Sequence, residues 1–161
     1  MLAMTRPPIK GPAPLDHACN ATPAVAGRIR LMIDRRILAW GLTAPRYSGV
    51  RENLAIVVTE LVNNATAETP GREIRVQCFR DLDAGVIRVG VWDSSDRKPV
   101  AMMPDLTPDT LDLRDENFDD NGGWGLPIVQ ALSADCGVEP TPGGGKWVWA
   151  TISVAVADPP A

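Results

Sequence analysis

The sequence predicts an α+β fold in which α-helices cover one face of a β-sheet. Three segments carry apolar residues at helical spacing, and the segment between the second and the third alternates polar and apolar residues as a β-hairpin does. One face of that hairpin is polar, so its apolar face is expected to lie beneath the helices. A chain of 161 residues is long enough for one domain with a substantial core.

The first part of the chain is predicted to hold a leader, an edge strand and a helix. Residues 1–14 are rich in proline, which cannot join a regular hydrogen-bond ladder, and we expect a flexible leader there. Residues 15–19 are predicted to form a short edge strand. Thr22 and Pro23 are typical of a helix start, with a hydroxyl cap followed by proline at the first helical position. Apolar residues then recur at helical spacing up to Gly41, where the helix is expected to stop.

The second predicted helix, residues 50–67, carries a polar pair beside its apolar stripe. The stripe is formed by Leu54, Val58, Leu61 and Ala65. Glu60 and Asn64 lie one turn apart at its margin, whereas Asn63 points away from it and is expected to be solvated. An amide oxygen suits Mg²⁺, and a carboxylate can take a proton from an attacking hydroxyl group. Taken alone, such a pair is more often an ordinary surface feature of an amphipathic helix.

A β-hairpin is predicted over residues 73–79 and 86–92, with its turn at residues 83–85. The second strand runs directly into Asp93, so this carboxylate stands at the end of a half-buried strand. It can accept a hydrogen bond there from an exocyclic amine such as that of adenine, or it can simply initiate a turn.

The third part of the chain combines an aperiodic segment with a glycine-rich helix start. Residues 97–121 contain three prolines and seven acidic residues without any period, which is typical of a lid, a binding loop or disorder. A helix follows, and we expect it to run as far as Cys136. Its glycine-rich start lets backbone N–H groups approach an anion closely. The residues of this start are Gly122, Gly123, Gly125 and Leu126.

A last strand is predicted over residues 146–156, before a short tail at residues 157–161. The glycines at 143–145 and Lys146 are similar to a phosphate-binding loop. However, Trp147 replaces the required Ser or Thr, and a strand follows in place of a helix, so a phosphate-binding loop is excluded.

Composition and charge exclude several classes of function. The formal net charge of −4 argues against direct binding of nucleic acid or an anionic membrane. No apolar run is long enough to span a bilayer and no signal-peptide pattern is present, so a cytoplasmic location is expected. The three cysteines are widely spaced, which favours reduced thiols over a disulfide framework. A single histidine, His17, disfavours both a histidine-kinase core and a hydrolase triad, and with Cys19 it makes only a weak zinc site.

The order of these motifs resembles a known family. A helix with E-L-V-x-N-A is followed by a hairpin that ends in Asp, a long loop, a helix opened by G-x-G-L, and a last strand with G-K-x-V-W-A. This order resembles the anti-sigma-factor serine/threonine kinases of the GHKL (Bergerat) superfamily of histidine kinase-like ATPases. The resemblance covers residues 15–156, and it implies a two-layer α/β sandwich. Three helices would cover one face of a mixed, mostly antiparallel sheet.

The resemblance also implies roles for the residues named above. Glu60 would be the catalytic base, Asn64 the magnesium ligand, and Asp93 the residue that binds the adenine amine. The turn that meets the phosphates would comprise Gly122, Gly123, Gly125 and Leu126. The implied cofactors are ATP and Mg²⁺. The implied partners are an anti-anti-sigma-factor-like protein, whose serine is phosphorylated, and a sigma factor; the resemblance also admits a homodimer.

Three departures from the family pattern leave a second function open. Ser95 and Arg97 replace glycines that often follow the adenine-binding aspartate. Trp124 stands where arginine is common, and Trp147 stands where a threonine usually completes the adenine network. These departures favour a catalytically weak or inactive nucleotide-binding module for protein interaction. The carboxylate of Glu60 favours an active kinase.

Overall fold

The computed structural model of the protein describes residues 12–97 and 125–154. Its helices and strands follow the predicted order, with one additional strand. In chain order they are β1 (Leu15–Asn20), α1 (Val25–Ala39), a 3₁₀ turn (Pro45–Tyr47), α2 (Ser48–Glu68), β2 (Glu73–Asp81), β3 (Val86–Asp93), α3 (Gly125–Leu132), β4 (Asp135–Pro140) and β5 (Lys146–Ser153).

The described strands form a single five-stranded sheet in the order β1-β2-β3-β5-β4. All four strand pairs between them are antiparallel. β1 lies at one edge, as the short apolar segment near the start of the chain predicted, and β2 and β3 form the expected hairpin. Gly85 has a φ of 65° in the turn of this hairpin, a conformation that glycine adopts without strain.

The main core lies between the three helices and one face of the sheet. α2 is the central helix, because it packs against both α1 and α3 and lies over β3 and β5. Side chains alternate across the sheet, so every second residue of each central strand reaches this core. The helix-facing strand residues are Ile74, Val76, Cys78, Ile87, Val89, Val91, Val148, Ala150 and Ile152. The two-layer architecture predicted from the sequence is therefore confirmed.

The opposite face of the sheet carries a separate aromatic cluster. Phe79, Trp92 and Trp147 are buried there, and Trp149 packs against them. The guanidinium carbon of Arg88 lies 4.0 Å from the ring centroid of Trp149, which is a cation–π distance. The residues that face away from the helices are thus largely buried too.

Both ends of α1 are set by backbone hydrogen bonds. At its C-terminus the N–H of Leu42 donates to the carbonyl of Ile37, and the N–H of Gly41 donates to that of Leu38, with a φ of 85° at Gly41. This is the Schellman motif, so the predicted stop is confirmed. At its N-terminus the predicted threonine cap is wrong. The carbonyl of Thr22 accepts from Val25 N–H in a turn. The helix therefore begins at Val25, two residues after the predicted start at Pro23, and its cap position makes no side-chain hydrogen bond.

The prediction that the third helix continues to Cys136 is also wrong. α3 ends at Leu132, and Cys136 lies in β4, an edge strand that the sequence did not reveal. Gly137 and the terminal Pro140 conceal the strand pattern, because both residue types are poor strand formers. The glycine has a packing reason, since a Cβ at Gly137 would lie 2.8 Å from the ring of Trp149.

Several predictions lie outside the described residues. These are the leader up to residue 11, the aperiodic segment from residue 98 onwards, and the chain beyond residue 154. The domain boundaries at residues 15 and 156 stay predictions. Within the described helices, none combines the length and the apolar character needed to cross a membrane.

Candidate functional site

The flank of α2 that faces away from α1 carries a row of polar residues. Arg51 donates two hydrogen bonds of 3.0 Å to Asp34 of α1, which fixes the flank that faces α1. Asn64 comes thirteen residues later, so it lies roughly 140° around the helix from Arg51. Glu60 and Glu68 lie one turn before and one turn after Asn64 on the same flank. The row runs beside the core, as predicted for its first two members.

Asn64 and Glu60 are both partly withdrawn from solvent. The Nδ2 atom of Asn64 is buried and has no hydrogen-bond partner among the described residues. Burial raises the pKa of the Glu60 carboxyl group above its ordinary value. Asn63 is exposed, in agreement with the helical geometry read from the sequence. An unpaired buried amide is costly, so a partner beyond the described residues would stabilise it.

Asp93 is the last residue of β3, and strand alternation turns its side chain to the helix-covered face. The residue is fully buried. Its Oδ1 atom accepts two hydrogen bonds, one of 2.8 Å from Lys146 Nζ and one of 2.9 Å from the N–H of Ser95. Its Oδ2 atom is buried without a partner in the described part of the chain. Burial raises the pKa of Asp93, although hydrogen bonding and charge from Lys146 act in the opposite direction.

A hydrogen bond joins the end of β3 to the end of α2. The hydroxyl group of Ser95 donates to Oε2 of Glu68 at 3.1 Å, and its carbonyl oxygen accepts from Lys146 Nζ at 3.2 Å. Glu68 stands about 6 Å along the helix axis from Asn64. The aspartate at the strand end and the polar row of α2 therefore belong to one site.

The turn between β4 and β5 closes over the same strand end. Gly145 has a φ of 82°, and a Cβ there would lie 2.6 Å from the carbonyl oxygen of Asp93 and 2.6 Å from the ring of Trp92. Its N–H donates to Asp96 Oδ1 at 2.8 Å. Only glycine allows the two backbones to approach this closely.

The family model of the histidine kinase-like ATPase domain matches residues 19–152. The chain belongs to this family. As an ATPase domain it is an ATP-binding module. This function fits the buried atoms Asn64 Nδ2 and Asp93 Oδ2, which have no hydrogen-bond partner among the described residues.

A solved structure shows the same fold. The crystal structure of the RsbU and RsbW domains of Rv1364c from Mycobacterium tuberculosis superimposes with a TM-score of 0.60 at 18% sequence identity. The match covers 88% of this chain and 32% of the crystallised chain, so this chain spans about a third of the length of that chain. No curated protein matches the sequence.

The glycine-rich start of the third helix is only partly described in the ATPase domain. Gly125 is the first residue of α3, and Leu126 is buried in the main core. Gly122 and Gly123 lie outside the described residues. Their approach to the phosphates stays a prediction. In the described ranges no group of three or more His, Cys, Asp or Glu side chains is placed to hold a metal ion.

The contact of Lys146 with Asp93 was not predicted from the sequence. The position beside Asp93 was assigned to Trp147 instead. Strand alternation turns Trp147 to the aromatic face, away from Asp93, so its difference from the usual threonine does not alter the contacts of that carboxylate. The residue of β5 that reaches Asp93 is Lys146, which is 2% exposed. One signal was available, because Lys146 continues the inward series of Val148 and Ala150, where a charged residue is unexpected.

Proposed function

We propose that the protein binds Mg·ATP and transfers its γ-phosphoryl group to a serine of an anti-anti-sigma-factor-like protein. The proposal also includes binding of a sigma factor. The observation that carries it is the buried Oδ2 of Asp93, which has no partner among the described residues and lies in the same site as the polar row of α2. A buried carboxylate oxygen that no described residue satisfies is a favourable place for a donor group of a ligand.

The adenine end of the proposed site is Asp93. An ionised carboxylate can only accept hydrogen bonds, and Oδ2 is the oxygen that no described donor reaches. The exocyclic amine of adenine supplies such a donor. Ser95 replaces a family glycine, yet its backbone N–H still binds Asp93 Oδ1, so this departure preserves the support of the aspartate.

The phosphate end of the proposed site is the first half of the polar row. Asn64 would hold Mg²⁺ through its amide oxygen, and the ion neutralises phosphate charge when bound. Glu60 would accept the proton of the attacking serine hydroxyl group. The serine oxygen would at the same time bond to the γ-phosphorus, and the bond between the γ-phosphorus and ADP would break. A carboxylate with a raised pKa suits that task, because it holds the accepted proton more firmly.

The protein partners rest on likeness alone. The similar crystal structure contains RsbU and RsbW domains, and the motif order of this chain resembles anti-sigma-factor kinases. Both support a regulatory protein as the phosphoryl acceptor. The acceptor for the test is therefore sought by pull-down among small anti-anti-sigma-like proteins.

The test is transfer of label from γ-labelled ATP to the acceptor protein by the wild type and by Glu60→Gln. The variant should keep its fold and its ATP affinity, because the side chains are nearly isosteric, but transfer should fall by about 10²-fold or more. Glu52→Gln is the matched control, since Glu52 is exposed on the same helix and lies about 12 Å along the helix axis from Glu60. Its transfer rate should equal that of the wild type.

Two outcomes would count against kinase activity. One is a wild type that binds ATP and a protein partner but transfers no label. The other is undiminished transfer by Glu60→Gln. The first would leave the nucleotide-binding interaction module as the function of the domain.

A further inference from the structure

The ion pair between Asp93 and Lys146 is buried beside the proposed adenine site. The two residues are direct cross-strand partners in β3 and β5. Their charged atoms are 2.8 Å apart, and their side chains are 0% and 3% exposed. A buried ion pair is a weak source of stability, because removing both charges from water costs about as much as their attraction returns. Its position points to a functional role.

The two oxygens of Asp93 have different surroundings because of this pair. Oδ1 accepts from both Lys146 Nζ and the N–H of Ser95. Oδ2 is buried and meets no described donor. A partial rotation of the carboxylate would break both bonds at Oδ1, so Lys146 and the N–H of Ser95 together fix the plane of the carboxylate and leave one oxygen for a ligand.

We propose that Lys146 is a specificity-determining residue that makes the site select adenine over guanine nucleotides, by keeping Asp93 charged and turned so that Oδ2 acts only as an acceptor. The inference rests on the proposed adenine-binding role of Asp93. The exocyclic group of adenine is an amine, which donates, whereas that of guanine is a carbonyl oxygen, which accepts. A guanine base would therefore place its carbonyl oxygen against a second acceptor, with neither group satisfied.

The charges around Asp93 explain why the lysine is needed. Burial and the negative charge of Glu68 raise the pKa of Asp93, and Lys146 lowers it by its hydrogen bond and its charge. Asp96 and Arg97, on the segment after β3, are exposed to solvent. Without Lys146, burial is the largest remaining influence, and it favours the neutral acid. A neutral Asp93 carries a hydroxyl donor that suits the carbonyl oxygen of guanine.

Calorimetric titration of the whole chain with ATP and with GTP, both with Mg²⁺, tests this role. In Lys146→Met the ratio of ATP to GTP affinity should fall by about tenfold or more below neutral pH. It should recover as the pH rises and Asp93 ionises, whereas the wild-type ratio should begin to fall only at a lower pH than in the variant. Arg35→Met is the control, because it removes an exposed cation from α1, which the polar row of α2 faces away from, and should leave the ratio unchanged.

A second pair of variants keeps the test decisive if Lys146→Met does not fold. In Asp93→Asn, Lys146 donates its hydrogen bond to the amide oxygen, which leaves the NH₂ group at the position of Oδ2. The ratio of ATP to GTP affinity should therefore shift towards GTP. In Asp93→Asn combined with Lys146→Met no lone charge is buried and only the N–H of Ser95 still orients the amide, so the shift towards GTP should be smaller than in Asp93→Asn.

The failures of the two proposals are distinguishable. A wild type that binds neither nucleotide overturns the proposed function and this inference with it. A wild type that prefers ATP, together with a folded Lys146→Met that keeps the full preference at every pH, overturns only the role of Lys146, as does an equal nucleotide preference in Asp93→Asn and in the double variant. Full preference for ATP in Asp93→Asn overturns the adenine-binding role of Asp93.

Discussion

Replacing Gly145 by alanine tests whether the turn before β5 must lie against the end of β3. Two costs follow from the structure. A φ of 82° costs an L-residue roughly 1 kcal/mol. The new Cβ would also lie 2.6 Å from the carbonyl oxygen of Asp93 and 2.6 Å from the Trp92 ring, and overpacking of this kind costs about 1–3 kcal/mol.

The total for Gly145→Ala is therefore about 3 kcal/mol, which at about 2–4 °C per kcal/mol for a chain of this size lowers Tm by about 6–12 °C. Gly143→Ala is the matched control, since Gly143 has a φ of 88° but a Cβ there would meet nothing within 4 Å. It should lose only the conformational share, about 1 kcal/mol. Calorimetric melting of both variants measures the difference. Equal Tm losses would refute the close approach of the turn to Asp93.

Further predictions concern the polar row and a buried thiol. Because burial raises the pKa of Glu60, the acid limb of kcat/KM for phosphoryl transfer should lie above the ordinary glutamate value and be absent in Glu60→Gln. The same raised pKa means that the stability tied to a protonated Glu60 is lost as pH rises through it, so Glu60→Gln should melt higher than the wild type at neutral pH but not in acid. Asn64→Ala should weaken Mg·ATP binding and transfer together, measured by titration with and without a chelator. Cys78 is fully buried, which raises its pKa to about 12, so it should resist alkylation in the native protein and react on unfolding, as mass spectrometry would show.

The spacing of apolar residues in the sequence predicted most of the fold. α1, α2 and the hairpin were predictable because each buries one face and repeats its apolar residues accordingly. β4 was not, because an edge strand needs little apolar alternation and a glycine at 137 is demanded by the Trp149 ring of its neighbour. The prediction of a Thr22 cap was wrong because a backbone hydrogen bond of a turn, and not the threonine side chain, precedes α1.

The positions of site residues within one helix were predictable from the sequence. The contacts between residues of different helices and strands were not. Helical geometry placed Glu60, Asn64 and Asn63 correctly relative to the core. The contact between Asp93 and Lys146 depends on strand register, and residues fifty-three apart in the chain give no sign of pairing. Glu68 was missed because only the fold brings Ser95 beside it.

The most direct test of nucleotide binding at Asp93 is calorimetric titration of the wild type and of Asp93→Ala with a nonhydrolysable ATP analogue and Mg²⁺. We expect saturable binding by the wild type and a large loss of affinity, with loss of preference for ATP over GTP, in the variant. An absence of heat and of any thermal shift for the wild type at millimolar analogue would contradict the proposed site, as would unchanged affinity and nucleotide preference in Asp93→Ala.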